Sequence, residues 1–350
     1  MSRVYSLAYL TAAPLSPPDV VTLASKLGYG AVGVRALPAA PGGDFDPLIE
    51  DKTLLRETAA RIRDTGVEVF DVEIVRIAAD FSVEKFRPFL DVCGALGAKA
   101  VLVAGDDADE ARLTASYAAF CAAAAEYGLS ADLEFMPWTR IPDCRSALRI
   151  VEAAGCANGG VLVDSLHAGR SATTPDDIAA VPRSMLHYAQ ICDAPVPTPK
   201  TDEELIYTAR CARLLPGEGG IDLKGIFGAL PADLPISIEI PHHDAQMTYD
   251  KLKQFLKNSP ERVPFTACVC ATDPLAISAM QALQEHGLRI PEDVSVTGVN
   301  DEPMAALLSP SLSTPEVCSP HETASDMEMR LVSDKAAKAR ATDSGASASK

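Results

Sequence analysis

One alternation repeats along residues 1–258: a short apolar run rich in β-branched residues, then a turn, then an amphipathic stretch of helical periodicity. Several helical stretches are followed closely by glycine, the residue that most often stands just past a helix end. Eight strands alternating with helices over roughly 250 residues predict a (β/α)8 TIM barrel. A doubly wound sheet is disfavoured because no glycine-rich phosphate loop follows the first strand. The predicted strands are Val4–Leu10, Ala31–Ala36, Val67–Ile77, Ala98–Ala104, Ala131–Met136, Gly160–Asp164, His187–Cys192 and Ile236–Ile240.

The charge balance excludes several classes of partner. The 350 residues include 31 Lys and Arg but 48 Asp and Glu, which gives a net charge of −17. A surface this negative repels phosphate backbones and anionic membranes. No apolar run approaches the ~20 residues of a membrane span. We therefore expect no nucleic-acid and no membrane partner. Metal cations and small polar substrates remain, and assembly into a homo-oligomer stays open.

The cysteines indicate the compartment. There are nine of them, an odd number, and none forms a C-x-x-C pair. A chain of this length needs no disulfide scaffold, so the pattern predicts reduced thiols and a cytoplasmic protein.

The character of the sequence changes after Lys257. Residues 258–264, NSPERVP, have the composition of a linker, and a new strand–helix–strand pattern follows them. The last residues are small, polar and low in complexity, which predicts disorder. The sequence therefore predicts an α/β chain in three parts: a barrel over 1–258, a small α/β fragment over 262–333 and a disordered tail over 334–350.

Polar side chains stand at the ends of four consecutive predicted strands. In a barrel of this kind the active site lies at the carboxyl ends of the strands. A single acid there often caps a helix or pairs with a surface cation, but several carboxylates converging on one mouth repel each other unless a cation lies among them. Oxygen ligands with one amide suit Mg²⁺, Mn²⁺ or Co²⁺ better than a structural zinc ion. The four residues, in strand order, are Glu134, Asp164, Gln190 and Glu239.

Two other segments hold candidates. Strand alternation places Asp71 and Glu73 on one face, where Glu73 is a candidate to bind substrate hydroxyls; a buried salt bridge with Arg76 is the alternative. The connection Ala194–Leu214 is long and holds three prolines, which is typical either of a lid over a barrel mouth or of a mobile insertion. His187 is expected to pack or hydrogen-bond within the barrel wall.

Residues 1–258 resemble the xylose-isomerase-like TIM barrels, the sugar phosphate isomerase/epimerase superfamily, in the strings LEFMPW, VLVDSLHAGR, YAQICDA, RLLPGEGGIDL and ISIEI. The resemblance implies that Glu134 and Glu239 carry protons in catalysis. It also implies that His167, from the Asp-x-x-His pair, and Arg213, before Pro-Gly-Glu-Gly, contact the substrate. One divalent metal ion, Mn²⁺, Mg²⁺ or Co²⁺, would be bound by Glu134, Asp164, Gln190 and Glu239.

This resemblance implies an enzyme that acts on a keto-sugar or a cyclic polyol. A hydroxy-ketone chelated by the metal loses the proton next to its carbonyl and passes through an enediolate. Return of the proton from the other face is epimerisation, return to the neighbouring carbon is isomerisation, and loss of a hydroxyl is dehydration. Glu134 and Glu239 supply two bases without any further residue, which favours an isomerase or epimerase. A dehydratase (lyase) of the inosose or 3-dehydroshikimate type and a catalytically inactive sugar-binding module are the alternatives.

Three positions bear on this choice. Some dehydratases of the family have His two residues after the strand-five glutamate, where this chain has Met136. The epimerases often have His on strand seven, where this chain has Gln190. A phosphorylated substrate is not expected, because the turn Gly217–Gly220 carries an acid. The complete set of ligands favours an enzyme over a binding module.

Residues 262–317 resemble a second family, the lac-repressor-type sugar-binding proteins, in the string FTACVCATDPLAISAMQALQEHGLRIPEDVSVTGVNDEPMAALLSPSLSTPEV. In that family the segment belongs to the second lobe of a periplasmic-binding-protein-like core. The sequence shows neither a helix-turn-helix nor a first lobe, so we expect no DNA binding. The fragment would pack on the barrel, pair with another subunit or stay partly loose.

Overall fold

The computed structural model describes residues 3–13, 15–241, 267–269 and 273–297. The chain divides into two units, Met1–His242 and His243–Lys350. The predicted linker over 258–264 and the predicted tail over 334–350 lie outside the described residues, as does the part of the C-terminal fragment from 298 to 333. Within the described ranges, no helix is both long enough and apolar enough to cross a membrane.

Eight parallel strands close the first unit into a barrel, in the order in which they occur in the sequence. The last strand pairs with the first through Ile236 with Tyr5 and Ile238 with Leu7. The predicted TIM barrel is therefore confirmed. The strands are β1 (Tyr5–Leu7), β2 (Ala31–Arg35), β3 (Glu68–Ile77), β4 (Ala100–Gly105), β5 (Ser130–Glu134), β6 (Gly159–Asp164), β7 (Ala189–Ile191) and β8 (Ile236–Ile238).

Local sequence signals begin and end the helices. The carboxylate of Asp51 accepts hydrogen bonds from the first backbone N–H groups of the third helix. The second helix ends at Gly28, whose φ of 81° is costly for other residues. The helices are α1 (Tyr9–Ala12), α2 (Pro17–Leu27), α3 (Lys52–Thr65), α4 (Arg87–Leu96), α5 (Glu110–Ala125), α6 (Cys144–Ala154), α7 (Ser165–Arg170), α8 (Pro175–Ala179), α9 (Asp202–Cys211) and α10 (Leu223–Ala229), with 3₁₀ turns at Val83–Phe86 and Arg183–Met185.

The apolar side chains described in the first unit form one large cluster and two smaller ones. Val101 and Val103 of β4 belong to the large cluster that also contains Tyr117 and Phe120 of α5, between the strands and the surrounding helices. Leu102, between the two valines, belongs to a smaller cluster on the opposite face of the strand, inside the barrel. Each large side chain fully buried in this way contributes roughly 1.5–3 kcal/mol to stability.

An extra residue in β3 changes which side chains face the barrel interior. The register between β3 and β4 shifts between Val72 and Val75, and beyond the shift Arg76 is paired with Ala104. Ala104 belongs to the cluster inside the barrel. Simple alternation from Glu73 would direct Arg76 outward, so it is the extra residue that turns this guanidinium toward the barrel mouth.

The connection from Ala194 to Leu214 has regular structure. It contains α9, and Asp193 and Leu214 form an antiparallel bridge at its base. Their backbone N–H groups each donate to the other residue's carbonyl at 2.8 Å. The bridge ties both ends of the connection to the barrel mouth; its action as a lid stays a prediction.

His187 hydrogen-bonds within the barrel wall, as expected from the sequence. Its Nδ1 lies 2.6 Å from Oδ1 of Asp132, and Ser130 Oγ donates to the other carboxylate oxygen at 2.6 Å. Burial lowers the pKa of His187, but the bond to Asp132 outweighs burial and leaves the pKa raised. These residues lie where the strands begin, at the end of the barrel opposite the predicted site.

The second unit contains a parallel pair of strands, β9 (Ala267–Val269) and β10 (Ser295–Thr297), with helix α11 (Asp273–Glu285) between them in the sequence. This is the strand–helix–strand order that the sequence predicts. Leu283 of the helix and Val294 before the second strand are buried in a small apolar cluster.

Candidate active site

The four predicted ligands lie at the carboxyl ends of the last four barrel strands. Glu134 is the last residue of β5, Asp164 is the last residue of β6, and Glu239 directly follows β8. Asp164 stands in register with Gln190 of β7. All four are buried, with at most 4% of the residue surface exposed. Asp164 also caps α7, since its Oδ1 accepts from Leu166 N at 2.7 Å.

Three of the site residues form a cluster that could hold a cation. Glu134, Asp164 and His167 each offer a ligand atom within 4.8 Å of the others. The Nε2 atom of His167 lies 3.6 Å from Glu134 Oε1 and 3.5 Å from Asp164 Oδ2. The ring of Trp138 packs edge-on against the imidazole, with the ring centres 5.1 Å apart. The histidine assigned to the substrate by resemblance is thus also within reach of an ion.

The guanidinium of Arg213 bridges two of the predicted ligands. Its Nη1 donates to Asp164 Oδ2 at 2.6 Å, and its Nη2 lies 2.9 Å from Glu239 Oε2. Its Nε donates to the carbonyl of Ala209 at 2.8 Å, which anchors the side chain to α9. Only 3% of the side chain is exposed. The positive charge of Arg213 therefore lies between the carboxylates of Glu239 and Asp164.

Burial and the mutual repulsion of the acids determine their protonation. Burial, together with the charges of Asp164 and Glu239, raises the pKa of Glu134 well above its usual range. Burial also raises the pKa of Glu239, although Arg213 opposes it. Burial acts in the same direction on Asp164, but Arg213 and His167 outweigh it and lower its pKa. The pKa of Asp164 is therefore shifted in the opposite direction to the pKa values of the two glutamates.

The donor set fits a divalent cation. Carboxylate oxygens are the ligands such ions prefer, and two carboxylates, those of Glu134 and Asp164, lie within 4.8 Å of each other and of the His167 imidazole, whereas Glu239 is not part of this cluster. Gln190 is completely buried, yet within the described part of the chain neither its Oε1 nor its Nε2 has a hydrogen-bond partner. A buried amide without partners calls for a ligand that the protein itself does not supply. Nδ1 of His167 is in the same situation.

Glu73 lies in another part of the mouth, and its ion-pair partner differs from the one considered in the sequence analysis. Arg35, at the end of β2, donates to Glu73 Oε2 through Nε at 3.0 Å and Nη2 at 2.5 Å. Arg76 instead forms a two-pronged pair with Asp106 at 2.7 and 2.9 Å. The expected Glu73–Arg76 salt bridge is wrong, because Glu73 is in register with Arg35 and the β3 irregularity separates it from Arg76.

Around this pair, Arg35 is held from two sides. Its guanidinium carbon lies 4.4 Å above the ring centre of Tyr9. The backbone N–H of Asp46 donates to the Arg35 carbonyl at 2.8 Å. Burial raises the pKa of Asp46 to about 7, against the opposing charge of Arg35. Glu73 keeps its other oxygen, Oε1, without a hydrogen-bond partner among the described residues.

A small cavity of about 50 Å³ joins the two halves of the mouth. The predicted site residues Glu73, Glu134, His167, Arg213 and Glu239 line it. A larger cavity of about 450 Å³ lies beside His187 at the opposite end of the barrel, where none of these residues is found. The charged and titratable side chains line the smaller cavity, and we therefore place the candidate site there.

Sequence reasoning missed three residues that line the same cavity: Arg35, Trp138 and Arg210. Arg35 ends β2, so the rule that selected acids at strand ends would have found it if cations had been included. Trp138 follows β5 within the string LEFMPW. No sequence signal marks Arg210, because its place at the mouth depends on how α9 packs.

Comparison with known families assigns the barrel. Residues 21–259 match the family model of the xylose isomerase-like TIM barrels, and the chain belongs to that family. Residues 231–341 match the model of a periplasmic binding protein-like domain. The second match agrees with the resemblance of the C-terminal fragment to sugar-binding repressors.

Curated relatives match separate parts of the chain. The 3-dehydroshikimate dehydratase of Pseudomonas aeruginosa is 27% identical over 217 residues, covering 50% of this chain and 34% of the relative. The ribose operon repressor of Haemophilus influenzae is 49% identical over 55 residues, 16% of this chain and 16% of the repressor. The chain thus spans about a third of the dehydratase and about a sixth of the repressor.

Solved structures agree on the fold. A xylose isomerase-like TIM barrel/4-hydroxyphenylpyruvate dioxygenase fusion protein superposes with a TM-score of 0.60 at 19% identity, over 84% of this chain and 46% of that one. The IolI protein with a bound zinc atom superposes with a TM-score of 0.53 at 16% identity, over 81% of this chain and 95% of that one. The 3-keto-D-glucoside 4-epimerase YcjR of E. coli, in its apo form, superposes with a TM-score of 0.53 at 15% identity, over 73% of this chain and 100% of that one.

Proposed function

We propose that this protein is a divalent-metal-dependent isomerase or epimerase of a keto-sugar or cyclic polyol. The observation that carries the proposal is the pair of buried glutamates, Glu134 on β5 and Glu239 after β8, which line one cavity and have raised pKa values. Two carboxyl groups that hold protons readily in one cavity suit proton removal and proton return.

The ion, Mn²⁺, Mg²⁺ or Co²⁺, would be held by Glu134, Asp164, Gln190 and Glu239, with His167 within reach of the first two. When bound, it would withdraw electron density from the substrate carbonyl and make the adjacent C–H group more acidic. The unpartnered amide of Gln190 supports this assignment. The IolI structure, which has the same fold and contains a zinc atom, supports the presence of a divalent metal ion but not the choice among these three.

The side chains of the mouth would divide the remaining work. An oxygen of Glu134 takes the proton from the carbon next to the carbonyl, and the electron pair of that C–H bond moves toward the carbonyl oxygen. Glu239 returns a proton to the same carbon from the other face, or to the neighbouring carbon while the proton of the first carbon's hydroxyl passes to the former carbonyl oxygen. Arg213 and His167 hold substrate oxygens, and Trp138 keeps water away from the imidazole.

A dehydratase is the second candidate, and the alignment with 3-dehydroshikimate dehydratase favours it. The first proton transfer would be the same. The electron pair would then expel a hydroxyl from the next carbon, and Glu239 would donate the proton with which it leaves as water.

Two measurements on the purified protein test the proposal. Elemental analysis after dialysis and Mn²⁺ reloading should find about one metal per chain in the wild type and a large loss in Glu134→Ala. NMR in D₂O, with D-fructose, D-tagatose and an inosose as probes, should show deuterium entering the carbon next to the carbonyl. Formation of a conjugated enone, without deuterium entering that carbon, would support the dehydratase instead of the isomerase or epimerase. A protein that binds these probes but neither exchanges nor dehydrates them would be a sugar-binding module.

A further inference from the structure

Three guanidinium groups line one side of the cavity. Arg35 ends β2, Arg76 lies in the last part of β3, and Arg210 lies near the end of α9. Arg35 is paired with Glu73 and Arg76 is paired with Asp106. The first two cations therefore already have carboxylate partners.

Among the described residues Arg210 has no acidic partner. It is an exposed residue at the rim of the cavity, and the charges that act on it most are those of Arg35 and Arg76. Partial burial and these like charges lower the pKa of Arg210. In a chain with a net charge of −17, a cation held beside two others at the rim of a cavity is a specific arrangement. An anion entering the cavity would remove the repulsion.

We infer that Arg210, which lines the cavity together with Arg35 and Arg76, binds a carboxylate group of the substrate. This inference rests on the proposed function and narrows its substrate class to acidic keto-polyols: open-chain keto-sugar acids or cyclic hydroxy-keto acids. One free guanidinium matches one planar carboxylate through two parallel N–H···O bonds.

A phosphate group is a poorer match for this barrel. In many TIM barrels, backbone N–H groups of the loops after strands seven and eight bind phosphate. Here the carboxylate of Asp193 occupies three such donors in the connection after β7: it accepts from Ala194 N at 2.8 Å, from Gly217 N at 3.0 Å and from Ile221 N at 3.0 Å. Because the protein's own acid uses these donors, the cation at Arg210 is the better anion site.

A binding experiment that needs no turnover tests the inference. D-Gluconate and D-sorbitol are six-carbon polyols that differ only in a terminal carboxylate against a CH₂OH group. Their dissociation constants would be measured by calorimetry on the Mn²⁺-loaded full-length chain, in the wild type, in Arg210→Gln and in Lys200→Gln. Lys200 is an exposed cation just before α9 that does not line the cavity, so its variant controls for net charge.

We expect gluconate to bind at least about tenfold more tightly than sorbitol in the wild type and in Lys200→Gln, and this preference to disappear in Arg210→Gln. Chelation of the ion by gluconate would persist in Arg210→Gln, so a preference retained there overturns the inference. Equal binding of both probes by the wild type overturns it too, as does binding of neither. Because the readout is independent of proton exchange, the carboxylate site can be refuted while the isomerase proposal survives, and the converse also holds.

Discussion

The guanidinium of Arg213 lies 2.6 Å from the carboxylate of Asp164 at the mouth of the barrel, and both side chains are almost completely buried. Removing one partner of a buried ion pair leaves an uncompensated charge. We therefore expect Arg213→Ala to lower the free energy of unfolding by about 3–5 kcal/mol in urea titrations at neutral pH. Mn²⁺ should restore part of that loss, because the ion would neutralise the acids that the arginine leaves behind.

The control for this prediction is Arg149→Ala. Arg149 pairs with Glu110 in two-pronged geometry, but both side chains are more than half exposed. Exposed pairs contribute little, so its cost should stay within about 1 kcal/mol and should not respond to Mn²⁺. Equal losses in the two variants would show that Arg213 does not balance the acids of the mouth.

Glu239→Gln should abolish turnover and weaken Mn²⁺ binding at least about tenfold, while the circular dichroism spectrum stays that of the wild type. The amide keeps the shape of the side chain but removes the charge and the proton-carrying oxygen. Glu203→Gln, an exposed change in α9, is the matched control. Unchanged metal affinity in Glu239→Gln would remove this residue from the proposed ligands.

Asp46 should make the fold less stable as the pH rises. Burial raises the pKa of its carboxyl group to about 7, from an ordinary value of 3.8. Between these two values the unfolded chain is ionised while the folded chain is still protonated, so stability falls from about pH 4 to pH 7 and then levels off. Asp46→Asn should lack this loss of stability with rising pH. Its free energy of unfolding at pH 8 should exceed that of the wild type by at most about 4 kcal/mol. Urea unfolding at pH 4.5 and pH 8 measures it; an equal pH dependence in both proteins would contradict the prediction.

Gly160→Ala should destabilise the barrel by about 3 kcal/mol. A Cβ atom at Gly160 would lie 2.2 Å from Asp132 Oδ1 and 2.5 Å from His187 Nδ1, inside the hydrogen-bonded pair. Gly228→Ala in α10 is the control, since a Cβ there meets nothing within 4 Å, and it should leave stability unchanged or raise it by up to about 1 kcal/mol. Thermal unfolding of both variants decides the matter, and a Gly160→Ala protein as stable as Gly228→Ala would refute the close packing.

Much of the barrel could be predicted from the sequence because its signals are local. The predicted strand Ala131–Met136, for example, overlaps β5, and the predicted strand Gly160–Asp164 differs from β6 by one residue. The gathering of Glu134, Asp164 and Glu239 at one rim also followed from sequence, since all strands of a parallel barrel end on the same side.

The partners of the charged groups could not be predicted in this way. Glu73 pairs with Arg35, and Arg76 turns inward, because of an extra residue in β3 that no alternation pattern shows. Arg210 lies in α9 and Arg213 follows it, and the packing of that helix against the mouth is a property of the assembled barrel.

The sequence by itself determined the order of strands and helices, the barrel and the rim on which the acids stand, because these depend on periodicity and on residues that begin and end helices. Only the tertiary structure decided which cation lies beside which carboxylate, which amide is left without a partner and which arginine is left unpaired. Those relationships depend on strand register and on side-chain positions between segments far apart in the chain, and neighbouring residues in the sequence carry no record of them.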